Sequence, residues 1–413
     1  MGQENDETGE RAMKDVFKAV RITDRVWWVG AVDWNIRDFH GYETKRGSTY
    51  NAYLVMADRI ALIDTVRAPF RDEMMSRIAS VVDPRAVDII VSHHAEMDHS
   101  GSLFETAREI RPDVIYASEM GKKTLNELYH GAGDVTAVKD GEKVNLGNCD
   151  LAFYETRMLH WPDSMISWLE SEKLLFSQDA FGMHLASSGR FDDEIDPAVL
   201  EYESATYFAN ILLPYAPLVG KALERVGAMG WDLKFIAPDH GPVWRSDLGR
   251  ILGNYRRWAA QEKTRKAVII YATMWHSTER MARAIGEGLA SAGVPVSFLS
   301  MAENHRSDAA FEILEAGALI AGSPTLNNNI FPSMADVLTY LKGLRPKNLI
   351  GAAFGSYGWS GESVRQIEDM LKEMKVEIVA PGITAKHAPD PPVLEACYDL
   401  GRQVGERLKT TLP

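Results

Sequence analysis

Our prediction of the fold for the first part of the chain rests on the stretch VSHHAEMDHSG, residues 91–101. It follows an apolar run, VDIIV, that is typical of a buried strand, so the polar residues after it lie in a loop at the strand end. The loop offers four metal-ligand side chains: His94, Glu96, Asp98 and His99. A polar loop that caps the next helix through Asp98 is the alternative, but it leaves the other three side chains unexplained. The stretch therefore predicts a metal site. The preceding His93 should point away from it, as a core histidine, because side chains alternate along a strand.

Three later segments repeat the same arrangement, with one ligand-type residue after an apolar run. His160 stands in MLHWPDSM, Asp179 in LLFSQDAFG and His240 in FIAPDHGPVW. Each of these alone is more simply a buried polar residue with its own partner. Taken with the first loop, they supply a complete ligand set on four strand-end loops.

This ordered set resembles the metallo-β-lactamase superfamily, whose first loop usually reads H-x-H-x-D-H. Here Glu96 stands in place of the second histidine. The resemblance implies an αββα sandwich with a pair of metal ions. Imidazole-rich sites suit zinc, whereas added carboxylate hardens a site and favours iron, so we predict two irons per chain. One is assigned to His94, Glu96 and His160, the other to Asp98, His99 and His240, with Asp179 as the bridge because a carboxylate has two oxygens to share.

The pattern of apolar and polar residues changes after QEKTRK, and we place a domain boundary there, near Lys266. Short apolar strands then alternate with helices, which predicts a doubly wound parallel sheet. The loop ATMWHSTERMA follows the first strand and opens a helix, as phosphate-binding loops do. GSPTLNNN and GSYGWSGE follow the third and fourth strands, at the edge where ligands bind in such sheets. A well-capped helix without a ligand is the alternative reading of the first loop.

These three loops resemble the FMN site of flavodoxins. The residues that the resemblance assigns to FMN are Thr273, Met274, Trp275, His276, Ser277, Thr278, Pro324, Thr325, Leu326, Asn327, Asn328, Ser356, Tyr357, Gly358, Trp359, Ser360 and Gly361. PTLNNN contains no acidic side chain, and a carboxylate beside the ring would disfavour anionic reduced flavin. We therefore hypothesise that this FMN reaches its two-electron-reduced form easily. Histidines without a motif, such as His387, are expected at the surface.

Composition limits the remaining possibilities. The chain has 413 residues with a net charge of −13, and its acidic residues are spread along it, which argues against nucleic-acid binding. No apolar run approaches the ~20 residues of a membrane span. Two distant cysteines exclude a disulfide scaffold and, with an acid-rich start that lacks a signal core, predict the cytoplasm. The expected domains are a polar tail over residues 1–20, a diiron domain over 21–262 and an FMN domain over 266–413.

The order of the two domains resembles the flavodiiron family, and the matching stretches, from DWNIRDFHGYET to SYGWSGE, cover nearly the whole chain. The resemblance implies reduction of dioxygen to water or of nitric oxide to nitrous oxide. Electrons would come from a separate donor, rubredoxin, through FMN to the irons; two from the irons and two from the flavin suffice for dioxygen. It also implies a head-to-tail homodimer, or a dimer of such dimers, and places His40, His184 and Tyr207 near the substrate pocket.

Two other classes of protein stay open on the sequence alone. The lactamase-like fold most often activates water on zinc, so a hydrolase with an appended flavodoxin-like domain is one. A plain flavin electron carrier is the other, although it leaves the seven predicted ligands without a purpose. The sequence does not decide between dioxygen and nitric oxide.

Overall fold

A computed structural model describes residues 16–412, so most of the predicted tail, residues 1–15, lies outside the described residues. The chain divides into two compact units. The first contains the described residues up to Phe39, then Thr44–Tyr207 and Pro217–Tyr255; the second contains His40–Glu43, Phe208–Ala216 and the described residues from Arg256 onward.

Short strands and helices alternate up to residue 263. The strands are β1 Val20–Arg21, β2 Val26–Trp28, β3 Ala31–Asp33, β4 Asp38–Phe39, β5 Tyr42–Glu43, β6 Ser48–Tyr50, β7 Tyr53–Val55, β8 Ile60–Ile63, β9 Val87–Val91, β10 Val114–Ser118, β11 Thr136–Val138, β12 Lys143–Asn145, β13 Asp150–Glu155, β14 Met165–Leu169, β15 Leu174–Gln178 and β16 Phe235–Pro238. The α-helices are α1 Arg71–Ala79, α2 Met97–Ser100, α3 Leu103–Ile110, α4 Glu119–Leu128, α5 Pro197–Tyr207, α6 Ala216–Ala228 and α7 Leu248–Ala259.

The first unit consists of two sheets packed face to face, with helices on the outer faces. One sheet has the strand order β1-β2-β7-β8-β9-β10-β11 and the other β12-β13-β14-β15-β16. Alternation along β8 shows how the layers form: Ala61 and Ile63 enter the core between the sheets, whereas Leu62 enters the core beneath the helices. On the far side of the second sheet, Trp168 stacks on Trp231 at 4.6 Å between ring centroids. This αββα arrangement confirms the fold predicted for this part.

The sequence also predicts a long helical region from Pro197 to about Met229, and in the structure this region consists of several helical segments. Helix α5 ends at Tyr207, and a π-helix, Phe208–Leu212, and a 3₁₀ turn, Leu213–Tyr215, precede α6. Pro214 lies in the 3₁₀ turn; it has no backbone N–H to donate and its ring clashes with a continuous α-helix. The predicted helical region is therefore present, but it is not one continuous α-helix.

The remaining strands and helices form the sheet of the second unit. Its strands are β17 Thr264–Tyr271, β18 Val296–Ser300, β19 Ala316–Leu326, β20 Asn329–Ile330, β21 Ile350–Tyr357, β22 Glu377–Ile378 and β23 Ile383–Lys386; its helices are α8 Ser277–Ser291, α9 Arg306–Glu315, α10 Pro332–Leu344, α11 Glu362–Glu373 and α12 Pro391–Thr411. The main path is β18-β17-β19-β21-β22, all parallel, and β23 continues beside β21. This is the doubly wound sheet that the sequence predicts.

Among residues 16–412, no helix combines the length and apolar character that crossing a bilayer requires. Both cysteines, Cys149 and Cys397, are free thiols.

Helices α8 and α12 pack backbone against backbone through glycines. A Cβ added at Gly401 would lie 1.9 Å from the carbonyl oxygen of Ile285, and one at Gly288 would lie 2.0 Å from that of Tyr398. Main-chain oxygens cannot move aside as a flexible side chain would, so this contact excludes any side chain.

We expect Gly401→Ala to lower the free energy of unfolding by about 2 kcal/mol, because overpacking forces the two helices apart. Gly343→Ala is the matched control: it lies in α10 with nothing within 4 Å of an added Cβ, so alanine there should stabilise by roughly 0.5–1 kcal/mol. Urea unfolding followed by circular dichroism measures both. Equal stability of the two variants would contradict the close helix contact.

Candidate metal centre and cofactor cavity

The seven predicted metal ligands converge at one end of the two sheets of the first unit. The loop after β9 carries four of them, and the others follow or precede strands of the second sheet: His160 between β13 and β14, Asp179 directly after β15 and His240 after β16. Six of the seven are buried and His160 is partly exposed. Strand ends fix these loops, which is why residues far apart in sequence meet here.

One group of donors surrounds the Oδ2 atom of Asp179. The Nε2 atom of His160 lies 2.9 Å from Glu96 Oε2 and 3.2 Å from Asp179 Oδ2. His94 Nε2 lies 3.4 Å from the same Asp179 oxygen. This is the grouping assigned from sequence to the first iron.

The other group surrounds Asp179 Oδ1. His240 Nε2 lies 3.0 Å from Asp98 Oδ2 and 3.7 Å from Asp179 Oδ1. His99 Nε2 lies 3.2 Å from Asp98 Oδ2 and 3.9 Å from Asp179 Oδ1. The two carboxylate oxygens of Asp179 thus face different groups, as expected of a residue shared by two metal ions.

Several donor atoms of these groups are buried without a hydrogen bond. They are both ring nitrogens of His94, both carboxylate oxygens of Asp98, Nδ1 of His99 and Oδ1 of Asp179. A buried polar atom without a partner costs roughly 1–3 kcal/mol, so this concentration of them would be unfavourable in a purely structural cluster. Metal ions would satisfy them, and the mixture of imidazole and carboxylate donors fits iron.

The charged side chains of the two donor groups shift one another's pKa values. Burial alone would raise the pKa of the Asp179 carboxyl, but the neighbouring His94 and His160 outweigh it and hold that pKa at about 2. Burial would lower the pKa of the His160 imidazole, but hydrogen bonds to Asp179 and Glu96 raise it to about 10. The pKa values of His94 and His240 are also raised, because neighbouring carboxylates outweigh burial. In the metal-free protein, the proton on His160 therefore offsets part of the negative charge of the carboxylates.

Uptake of ferrous iron by metal-free protein should release protons, because a histidine must be neutral to bind a metal. The pKa of His160, raised to about 10, means that this ring holds a proton at pH 7, whereas Asp179, with a pKa of about 2, is already ionised. Affinity should rise with pH until the pKa of His160 is passed. Calorimetry in buffers of different ionisation enthalpy should give at least about one proton per chain at pH 7. Uptake without proton release would contradict this description of the site.

Two buried residues stand next to predicted ligands in the sequence. His93 lies in the core as expected, with Nδ1 2.5 Å from Asp64 Oδ2 and Nε2 2.9 Å from Ser167 Oγ. Asp239, which the sequence did not single out, has Oδ2 3.8 Å from Nδ1 of His94, which is beyond hydrogen-bond distance. Asp239 could have been noticed in the sequence because it directly precedes the predicted ligand His240 in PDHG.

The residues expected near the substrate pocket occupy different places. Ser48 Oγ lies 2.8 Å from His184 Nδ1 and 3.4 Å from His240 Nδ1, so His184 adjoins a predicted ligand through a serine that the sequence did not reveal. The ring of Tyr207 lies 5.1 Å from that of His184. His40 lies between β4 and β5, in a segment that belongs to the second unit. Its role near the substrate stays a prediction.

A cavity of about 570 Å³ opens at the carboxyl edge of the sheet in the second unit. Its lining comes from the loops after β17, β19, β21 and β23: Met274, Trp275, Ser277, Pro324, Thr325, Leu326, Asn327, Asn328, Ser356, Tyr357, Gly358, Trp359, Ser360, His387 and Ala388. Its volume is within the range of cofactor sites. Trp275 and Trp359 are 86% and 89% exposed, so broad aromatic faces at the cavity are free to cover a flat ring.

Four residues assigned to FMN from the sequence do not line this cavity. Thr273 Oγ1 is buried without a hydrogen bond beside the start of α8, where a phosphate would satisfy it. Thr278 is buried and bonds to Ser356 Oγ at 2.9 Å. His276 is exposed, and its Nδ1 lies 2.7 Å from Glu279, so its side chain has a local partner. Gly361 precedes α11 and allows the turn there.

His387 and Ala388 line the cavity although the sequence analysis did not include them. They follow β23, at the same carboxyl edge as the other three loops. The general rule that all strand ends at this edge can contact a ligand would have found them. His387 is exposed, as expected, but its surface position is the wall of the cavity.

Comparisons with known proteins agree with both sites. Residues 269–401 match the flavodoxin family, and residues 49–241 match the ODP family beta lactamase. The nitric oxide reductase of Moorella thermoacetica is 45% identical over 94% of this chain and 98% of its own. The structure of rubredoxin:oxygen oxidoreductase from the anaerobe Desulfovibrio gigas superposes with a TM-score of 0.93 at 43% identity, covering 95% of this chain and 99% of that one. The flavodiiron protein from Giardia intestinalis superposes with a TM-score of 0.92 at 33% identity over 96% and 99%.

A β-lactamase-like unit with clustered histidine and carboxylate donors, joined in one chain to a flavodoxin-like unit with a flavin-sized cavity, defines a metal-containing flavoprotein. The chain belongs to the flavodiiron protein family. Its cofactors are accordingly FMN and a pair of iron ions; the flavodoxin match accounts for the first, and the donor groups fit the second.

Proposed function

We propose that this protein is an oxidoreductase that reduces dioxygen to water, nitric oxide to nitrous oxide, or both, at a diiron centre supplied with electrons through FMN. The observation that carries the proposal is the division of donors around Asp179, whose two oxygens face separate groups. Its relatives are named as a nitric oxide reductase and a rubredoxin-oxygen oxidoreductase. These names favour reduction over the hydrolase alternative.

The proposed ligand roles follow the two donor groups. His94, Glu96 and His160 would hold one iron, and Asp98, His99 and His240 the other, with Asp179 shared. When bound, the irons and FMN supply the electrons for the reduction. The chain's own part is to hold the ring of His240 through buried partners, Ser48 Oγ and the carbonyl oxygen of Thr49, and to keep the donors away from water.

The proposed flavin site combines the cavity with the phosphate loop. Buried Thr273 Oγ1 and the first N–H groups of α8 would bind the phosphate. The loops after β19 and β21 would border the ring, and Trp359 would cover it. We propose domain limits of 21–262 for the diiron part and 266–413 for the FMN part.

The proposed electron donor is rubredoxin or a similar small protein, supported by the name of a relative that is 43% identical over 96% of this chain. The decisive experiment is a steady-state assay of iron-loaded protein with reduced rubredoxin and each gas in turn. Rapid consumption of dioxygen or nitric oxide supports the proposal. Consumption of neither gas by protein that contains both irons and FMN would contradict it. A cytoplasmic location is part of the same proposal, and two free thiols are consistent with a reducing compartment.

We further propose a head-to-tail homodimer in which the flavin face of one copy meets the metal face of the other. Exposed apolar side chains support it. In the second unit, Met274, Trp275 and Trp359 line the flavin cavity and are exposed; in the first unit, Met97 is 57% exposed between the predicted ligands Glu96 and Asp98. Exposed apolar side chains concentrated at binding sites are typical of protein interfaces.

Met97→Asp should weaken this dimer, because it places a charge at the centre of an apolar contact. Sedimentation should show a dissociation constant raised by about tenfold or more, equivalent to about 1.4 kcal/mol. Phe298→Ser is the matched control, since Phe298 is also exposed but does not line the flavin cavity. A Met97→Asp protein that associates as tightly as the Phe298→Ser protein would rule out this interface.

A further inference from the structure

The flavin cavity contains a single side chain that can carry a positive charge. Tyr357 and His387 are the only lining residues whose side chains can ionise. None of the lining residues is a carboxylate. Reduction by two electrons without full protonation leaves a negative charge on a flavin. Among the lining residues, His387 is therefore the one whose charge could offset it.

The order of the strands places His387 at the ring end of the cavity. The phosphate loop follows β17, the two ring loops follow β19 and β21, and His387 follows β23 on the far side of β21. Neighbouring strands are about 4.8 Å apart, so three steps separate His387 from the phosphate loop by roughly 14 Å. His387 is thus too far from that loop to serve as a phosphate ligand.

The backbone of His387 is fixed against a ring loop. Its N–H donates a hydrogen bond to the carbonyl oxygen of Tyr357 at 2.7 Å, and the preceding Lys386 pairs with Tyr357 in the sheet. Its backbone is left-handed, with φ near 60°, which turns the chain away from β23. Asp390 then caps α12 by accepting a hydrogen bond from Val393 N. The imidazole therefore starts from a defined point beside the loop that carries Tyr357 and Trp359.

We propose that the His387 imidazole donates a hydrogen bond to the flavin ring and stabilises its anionic, fully reduced form. An imidazole has an N–H donor in either protonation state. The second electron, supplied by the external donor, enters the flavin without a following proton, and the resulting negative charge strengthens the hydrogen bond. This deepens the proposed function, on which it rests, by naming the residue that draws the second electron onto FMN.

The test is a redox titration of the holoenzyme with dithionite, followed by the flavin spectrum, for the wild type, His387→Ala and His387→Lys. Alanine has no hydrogen-bond donor in its side chain, so we expect His387→Ala to bind fully reduced FMN about tenfold more weakly relative to the one-electron-reduced form, which lowers the second midpoint potential by about 59 mV. His387→Lys supplies an N–H donor again and should recover most of this loss. Affinity for oxidised FMN, from fluorescence titration, should change by less than about threefold.

Lys386→Gln is the matched control, because it removes a full positive charge from the adjacent residue without altering a lining side chain. Its second potential should shift by less than a third of the His387→Ala shift. Equal potential shifts in Lys386→Gln and His387→Ala would indicate a general electrostatic field and would overturn the proposal. So would an unchanged potential in His387→Ala, or equal weakening of oxidised and reduced FMN in both His387 variants.

Failure of this inference is distinguishable from failure of the proposed function. If the wild-type protein binds FMN and reduces either gas while His387→Ala leaves the second potential unchanged, only the proposed role of His387 is refuted. If the wild-type protein does not bind FMN, or reduces neither gas, the proposed function itself is refuted.

Discussion

Asp179→Asn should lower the iron content from two ions per chain to one or fewer and reduce the rate of gas reduction at least ~1000-fold. The two oxygens of Asp179 face different donor groups, so in the proposed assignment this residue would bind both irons. Asparagine keeps the shape but removes the charge and offers only one good acceptor oxygen. Elemental analysis and the steady-state assay on the same preparation measure the two effects.

Asp192→Asn is the matched control for that experiment. Asp192 is also a buried carboxylate of the first unit, but it accepts hydrogen bonds from the backbone of Arg245, Ser246 and Asp247. Its loss should lower stability while leaving two irons in the folded protein. Full iron occupancy and full activity in Asp179→Asn would refute the shared-ligand assignment.

Glu96→His should convert the first loop to the pattern of imidazole-rich relatives and shift the metal preference from iron toward zinc. The Oε2 atom of Glu96 lies 2.9 Å from His160 Nε2, within one donor group. Replacing this carboxylate removes one of three negative ligands and softens the site. We expect a zinc-to-iron ratio raised at least ~10-fold after growth with both metals, and gas reduction lowered about 100-fold.

Glu96→Asp serves as the control, because it keeps the charge and shortens the side chain. It should retain the iron preference even if its rate falls. A Glu96→His protein that still selects iron as the wild type does would show that ligand charge does not set the metal here.

The sequence predicted the layers well because side-chain alternation is a local signal. In β8, the alternation of Ala61, Leu62 and Ile63 already separates the two cores. The predicted metal ligands also met in space, because each stands at a strand end and strand ends of one sheet share an edge. The sequence did not predict the end of the α-helix at Tyr207, although Pro214 lies soon after it. The apolar periodicity continues through the π-helix, so the pattern gives no signal for the change of helix type.

Residues that act through a neighbour were harder to find. Ser48 contacts both His184 and His240, and it is 136 and 192 positions away from them in sequence. No spacing rule links a serine to such distant histidines. The assignment of His276 to FMN stays a prediction: its place in the phosphate loop suggests a flavin contact, and its ring pairs with Glu279 one turn along α8. His387 was missed because no motif surrounds it, and only the order of the strands brings it to the cavity.

The most direct test of the central claim is reoxidation of anaerobically reduced protein in a single turnover. The stored electrons should number two from the irons and two from FMN per chain. Mixed with dioxygen or nitric oxide, the protein should return all of them to one of these gases, with water or nitrous oxide as the product. Protein that stores only the flavin's two electrons, or that returns them solely as hydrogen peroxide, would contradict a diiron centre fed by the flavin.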